Sequence, residues 1–243
     1  YVYNAYKEKF VMVGIKNNKV VALFTNNIDS CESEGICINK DLKYIKDNYK
    51  ILKYKNKGNI KYEISSNDEY DIIYKNKKYI TVFYDKFDKN KIWAYQIIEK
   101  NCEDEVKSIY APKDKDIEKS FMYQIIDLTN STRYKYKLKE LDYNEKATIC
   151  ARKHSEDMKD NDFFDHKNLN NQTPFDRMEN EGIDYLSAGE NIAAGQTNSI
   201  FVHNGWMNSQ GHRKNILGNY KYIGVGVVFG GKYKTYYTEN FFG

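Results

Sequence analysis

Proline is scarce in this chain, two residues in 243, and no stretch repeats glycine or proline, which excludes collagen-like and linker-dominated architectures. No apolar run approaches the roughly 18 residues that a membrane-spanning helix needs. Arginine is rare too. All four (Arg133, Arg152, Arg177 and Arg213) fall in the second half, and they form no clustered patch of the kind a nucleic-acid surface requires. Four cysteines are too few for a disulfide scaffold, and none has the CxxC spacing of a zinc site. Cys31 and Cys37 close a short loop and can pair in an oxidising compartment. Cys150 falls on an apolar helix face and reads as a buried free thiol.

Hydrophobic residues make up 41% of the chain and charged residues 30%, enough for a folded core and too much for wholesale disorder. The composition reads as a soluble globular protein, and the length favours two domains. The 38 basic and 34 acidic side chains leave a net charge of +4, all of it in residues 1–112; residues 113–243 balance. Eleven of the 14 glycines lie after Pro112, whereas 13 of the 23 tyrosines lie before it. Tyr-rich strand faces suit carbohydrate or protein contact. A general enrichment in Lys, Asn, Ile and Tyr is the competing explanation. The chain opens at Tyr1, mid-pattern and without Met, and so reads as processed or N-terminally truncated; any signal or anchor would lie upstream.

Residues 1–110 are β-rich. Val11 to Ile15 and Val20 to Thr25 flank Asn17-Asn18, and asparagine tolerates the positive φ of a tight hairpin turn. Tyr70 to Tyr74 and Tyr79 to Tyr84, around Lys75-Asn76-Lys77, predict a second hairpin, and Ile92 to Ile98 a further strand. Lys40 to Lys53 is expected to form a short helix. The composition shifts around Ser108 to Lys113, and the domain boundary is placed at Pro112, giving 1–112 and 113–243.

Beyond it the apolar period lengthens from two to nearly four. Ile117, Phe121, Ile125 and Leu128 share one helical face; Ala147, Cys150, Ala151, His154 and Met158 share another. A third helix starts at Asn198 as N-cap and ends near Asn208. Tyr222 to Phe229 and Tyr233 to Phe241, around Gly230-Gly231, predict a terminal hairpin. Helices and antiparallel strands in separate runs define an α+β class.

Four histidines are available for chemistry. His154 reads as a core residue and His203 as structural or exposed. His166 and His212 sit where regular structure is interrupted, and His212 is expected directly after the third helix. Glu190 lies between Gly189 and Asn191 in an apolar segment, and a carboxylate there is costly to bury unless paired. His166, Glu190 and His212 are therefore candidates for one shared site.

Five ordered segments carry a resemblance. They are His154-Ser155-Glu156-Asp157-Met158, Phe163-Phe164-Asp165-His166, Pro174-Phe175-Asp176-Arg177, Gly189-Glu190-Asn191-Ile192-Ala193 and Trp206 to Leu217. Together they resemble the bacterial branch of the CAP superfamily, the SCP-like extracellular domain. Residues 1–110 are similar to the CAP-associated N-terminal domain, through Val13 to Val21 and Thr81 to Lys86.

The resemblance implies a C-terminal α-β-α sandwich (the CAP fold) with a central cleft, behind a smaller β-rich domain. It also implies an extracellular or cell-envelope location. In relatives the cleft carries two His and two acids and in some binds a divalent cation such as zinc. By motif, His166, Glu190 and His212 match three of these and are the metal candidates; Ser209 stands where the second acid would be. If Glu190 is a ligand, no general base remains among the motif residues; if it is the base, two His ligands remain. Glu190 and Ser209 are the candidate catalytic residues, and a serine at a helix end more often caps it. Glu239 is expected at a solvated edge of the last strand. The leading expectation is a non-catalytic cleft for a cell-wall glycan, lipid or protein partner, modulated by a divalent metal. The alternative is a metal-dependent peptidase using Glu190 with His166 and His212. No nucleic-acid partner is expected.

Overall fold

Residues that accept a left-handed backbone make the turns of the first half. Asn17 and Asn18 adopt φ of 50° and 58°, and Asn76 and Lys77 adopt 49° and 59°, closing two antiparallel hairpins. The computed structural model describes residues 1–7 and 9–243. The chain divides into two compact units, Tyr1–Ile109 and Tyr110–Gly243.

The first unit contains β1 (Val2–Ala5), β2 (Lys9–Lys16), β3 (Lys19–Thr25), α1 (Leu42–Asn48), β4 (Tyr54–Lys57) and β5 (Ile60–Glu63). It continues with β6 (Tyr70–Lys75), β7 (Lys78–Asp85), β8 (Lys91–Glu99) and α2 (Lys100–Glu105). Six strands form one antiparallel sheet in the order β1-β2-β3-β8-β7-β6, and β4-β5 form a separate hairpin. Ile36, Ile45, Ile80, Val82 and Tyr84 bury the face under α1. Cys31 and Cys37 are disulfide-bonded; Cys102 and Cys150 are free, Cys150 being buried.

The second unit runs α3 (Lys115–Lys135), β9 (Asp142–Tyr143), α4 (Glu145–Asp160), α5 (Pro174–Asn180) and β10 (Ala188–Ala194). Then come α6 (Ser199–Met207), α7 (Gln210–Ile216), β11 (Tyr222–Phe229) and β12 (Thr235–Phe242). Its sheet has the order β10-β12-β11-β9, so the last strand of the chain is inserted centrally. Strand alternation sorts the two faces. Ile223, Val225, Val227, Phe229, Tyr237 and Phe241 pack with Ile125, Val202 and Trp206 on the α3/α6 side.

On the opposite side the alternate positions of β11 are Gly224 and Gly226. A Cβ at Gly226 would lie 2.3 Å from the backbone nitrogen of Arg152, so the bare strand is what lets α4 lie directly on the sheet. Helices therefore cover both faces, an α-β-α sandwich. Among the described residues no helix is long and apolar enough to cross a membrane.

Candidate functional site

Successive residues of β10 point to opposite faces, so Glu190 faces the α4/α5 side and Asn191 the α3 side. The Glu190 side chain is almost wholly buried, as its flanking glycine and apolar residues foretell. Arg177 of α5 compensates it: the guanidinium donates to Glu190 Oε2 at 2.6 Å. The same guanidinium donates to the carbonyls of His166 (2.7 Å) and Gln172 (3.1 Å), so one side chain fixes both the carboxylate and the loop carrying His166. α5 is positioned by a capping box between Thr173 and Asp176, with Pro174 in its first turn.

His166 Nδ1 lies 2.9 Å from Glu190 Oε1. A carboxylate oxygen only accepts, so Nδ1 carries the proton in this pair; the imidazole is half exposed. His154 is fully buried behind it, with Nε2 3.0 Å from the Asp165 carbonyl oxygen and 4.0 Å from Glu190 Oε1. Burial holds the His154 imidazole below the usual range despite that neighbouring carboxylate.

His212 does not follow the third helix directly. A second helix, α7, begins after Ser209, and His212 occupies its first turn. Asn191 Nδ2 donates to the His212 carbonyl at 3.2 Å, and Asn215 of α7 donates both to the Glu190 carbonyl (3.0 Å) and to Asn191 Oδ1 (2.9 Å). These bonds fasten α7 to β10. Burial first, and the charge of nearby His166 second, hold His212 below the ordinary imidazole range. Ser209 occupies the N-cap position of α7, but its hydroxyl makes no capping bond.

Glu239 corrects one expectation. It is completely buried, not at a solvated edge, because β12 pairs with β10 on one side and β11 on the other. It faces away from Glu190, accepting from Thr129 Oγ1 at 2.8 Å and Asn191 Nδ2 at 3.0 Å. Burial pushes its carboxyl up to about 7. Arg177 and Asn191 are the positioning residues that sequence reasoning did not single out. The signal for Arg177 was Glu190 itself: a carboxylate in an apolar segment demands a partner.

Among the described residues no three His, Cys, Asp or Glu side chains are grouped so as to hold a metal ion. Both Glu190 oxygens are engaged, one by Arg177 and one by His166. A three-ligand site including Glu190 does not fit this arrangement. The hydrogen bond from His166 Nδ1 fits an outer-sphere role for the carboxylate, orienting that imidazole.

The fold and this cluster define the class. Residues 126–241 match the Cysteine-rich secretory protein family (CAP), and residues 1–110 match the CAP-associated N-terminal family. The chain belongs to the CAP family, as a member with that N-terminal domain ahead of it. Over 99% of its length it is 31% identical to an uncharacterized membrane protein, YlbC, of Bacillus subtilis, covering 74% of that protein. About half of it is 46% identical to the uncharacterized protein YkwD of the same organism, covering 46% of that chain.

An extracellular protein containing an SCP domain from Bacillus anthracis superposes with a TM-score of 0.81 at 28% identity, over 99% of this chain and 84% of that one. A cysteine-rich secretory protein from Staphylococcus aureus has the same fold at 17% identity, TM-score 0.79, over 100% and 82% of the two chains.

Proposed function

We propose that the protein is an extracellular or cell-envelope recognition module, with a ligand cleft at His166 and His212 that is modulated by a divalent cation. The observation that carries this reading is the double engagement of Glu190. A carboxylate clamped by a guanidinium and an imidazole orients His166 instead of taking protons from a substrate water. His166 Nε2 and the His212 imidazole supply two nitrogen donors, and a ligand or solvent completes the coordination of a cation such as zinc.

Calorimetric titration with zinc chloride tests this. Binding is expected at pH 7.5, and it is lost at pH 5 and in both His166→Ala and His212→Ala, because protonated imidazoles do not ligate. Zinc affinity that is equal at the two pH values, or that survives the double substitution, overturns the reading. Incubation with a peptide library addresses the peptidase alternative. Cleavage by the wild-type chain that disappears in Glu190→Gln would replace recognition by hydrolysis.

A further inference from the structure

The first unit contains a groove of about 450 Å³ with three tyrosines in its walls. One wall is the β4-β5 hairpin, which presents Tyr54 and Asn56. The other is the cross-strand pair Tyr74 and Tyr79 of β6-β7, whose ring centroids are 5.1 Å apart. Lys100 and Asp104 of α2 close one end.

The hairpin wall is anchored. Lys57 is 5% exposed, and its ammonium donates to the Glu103 carbonyl at 2.7 Å and pairs with the Glu103 carboxylate. Lys55 shares that carboxylate and lies over the Tyr79 ring, 4.9 Å from its centroid. Desolvating such a cluster offsets most of its Coulomb energy, so its effect is to set the position of the hairpin against α2 and keep the groove open. Tyr54 and Tyr74 remain 46% and 41% exposed.

Lys61 lies over one face of the Tyr54 ring, 4.0 Å from its centroid, and the exposed remainder of both rings selects a ligand with apolar faces. The polar groups between them set its other half. Lys55 and Lys57 share Glu103, and Lys100 pairs with Asp104, so the groove offers donors and acceptors side by side with a surplus of one positive charge. Single-stranded nucleic acid would stack on the same rings, but one surplus charge is a small footprint for a polyanion, and Asp104 stands among the lining groups. A ligand with flat C–H faces and hydroxyl edges satisfies both sets of groups. We propose that this groove is a binding subsite for an uncharged glycan, with sugar rings stacked on Tyr54 and Tyr74 and their hydroxyls bonded to Asn56, Lys100 and Asp104.

The full chain is titrated calorimetrically with the β-1,4-linked tetrasaccharides of N-acetylglucosamine and of glucose, and with a short oligothymidylate. Saturable binding of at least one tetrasaccharide is expected. Tyr54→Ala and Tyr74→Ala each weaken it about tenfold, whereas Tyr54→Phe, which keeps the ring, stays within about threefold. Tyr143→Ala, at an exposed tyrosine of the second unit, leaves it unchanged. No saturation by either sugar up to about 10 mM overturns the proposal, as does binding that is unaltered in the double alanine variant, or preference for the oligothymidylate. His166→Ala separates this subsite from the cleft: sugar binding should persist in it.

Discussion

Replacing Glu239 by glutamine should make the protein more stable at pH 8 and not at pH 5. The carboxyl is wholly buried and accepts only from a hydroxyl and a carboxamide, with no guanidinium or ammonium among the causes of its shift. Burial raises it from 4.5, the value of a free glutamate, to about 7. Between those values the folded chain keeps a proton that the unfolded chain has released, so stability falls as pH rises through that window. Above it the charged form carries a constant deficit of about 3 kcal/mol. Glutamine is neutral throughout and keeps one acceptor oxygen, at a cost of about 1 kcal/mol for the altered hydrogen bond. The variant should therefore be about as stable as wild type at pH 5, where the wild-type carboxyl already costs about 1 kcal/mol, and about 2 kcal/mol more stable at pH 8. Urea unfolding followed by Trp206 fluorescence, in a Trp93→Phe background so that only the second unit reports, measures the difference. A wild-type-to-variant gap that stays constant from pH 5 to 8 would refute the assignment of Glu239 as a buried acid without a counter-ion.

His203, buried against Thr132 Oγ1 at 2.8 Å, has the opposite dependence. Burial lowers it to about 3, so the unfolded chain takes up a proton below 6.5 that the folded chain refuses, and stability is lost as pH falls. His203→Gln should flatten acid unfolding by up to about 1.4 kcal/mol per pH unit, read from the same fluorescence signal. Gly226→Ala forces a methyl to within 2.3 Å of α4 backbone and should cost about 3 kcal/mol or more in thermal unfolding. Gly205→Ala in α6 meets nothing within 4 Å and should raise stability by up to about 1 kcal/mol. Thiol titration should find one reactive cysteine in the native protein, Cys102, because Cys150 is buried and pushed up to about 11. It should find two after denaturation and four after reduction, with reduction costing the first unit about 2 kcal/mol. Four thiols before reduction would exclude the Cys31–Cys37 bond.

Local rules made much of this fold legible. Asn17-Asn18 and Asn76-Lys77 turn where their backbone tolerance predicts; Ile125 and Leu128 are buried on α3, with Ile117 and Phe121 partly buried, and Ala147, Cys150 and Met158 are buried on α4. The family motifs gave the sandwich. Features set by distant pairing were not legible. The β4-β5 hairpin is polar, and its anchor is a lysine that in sequence resembles every other surface lysine. Leu42 to Asn48 is shorter than the 40–53 window because Asp41 caps its start and Tyr49 leaves helical geometry. Sequence proximity put His212 in irregular structure directly after the third helix, whereas Ser209 adopts extended backbone and restarts the chain as α7.

The largest misreading concerns Glu239, and its cause bears on the site. A terminal strand in a simple hairpin would lie at an edge, but β12 enters between β10 and β11, and its register sets Glu239 opposite Asn191 and Asn240 opposite Glu190. Two carboxylates thus occupy the same pair of strands on opposite faces, one matched by Arg177 and one by neutral donors alone. The difference decides what each can influence. Glu190 acts on His166 directly. Glu239 reaches the cleft only through Asn191, whose carboxamide also holds the His212 carbonyl. Loss of the Glu239 charge should therefore alter the seating of α7 and His212 while leaving the His166–Glu190–Arg177 contacts intact. In Glu239→Gln, chemical shifts at His212 and Asn215 should move while those at His166 stay in place; equal movement at both histidines would mean that the two faces of β10 are not separated in this way.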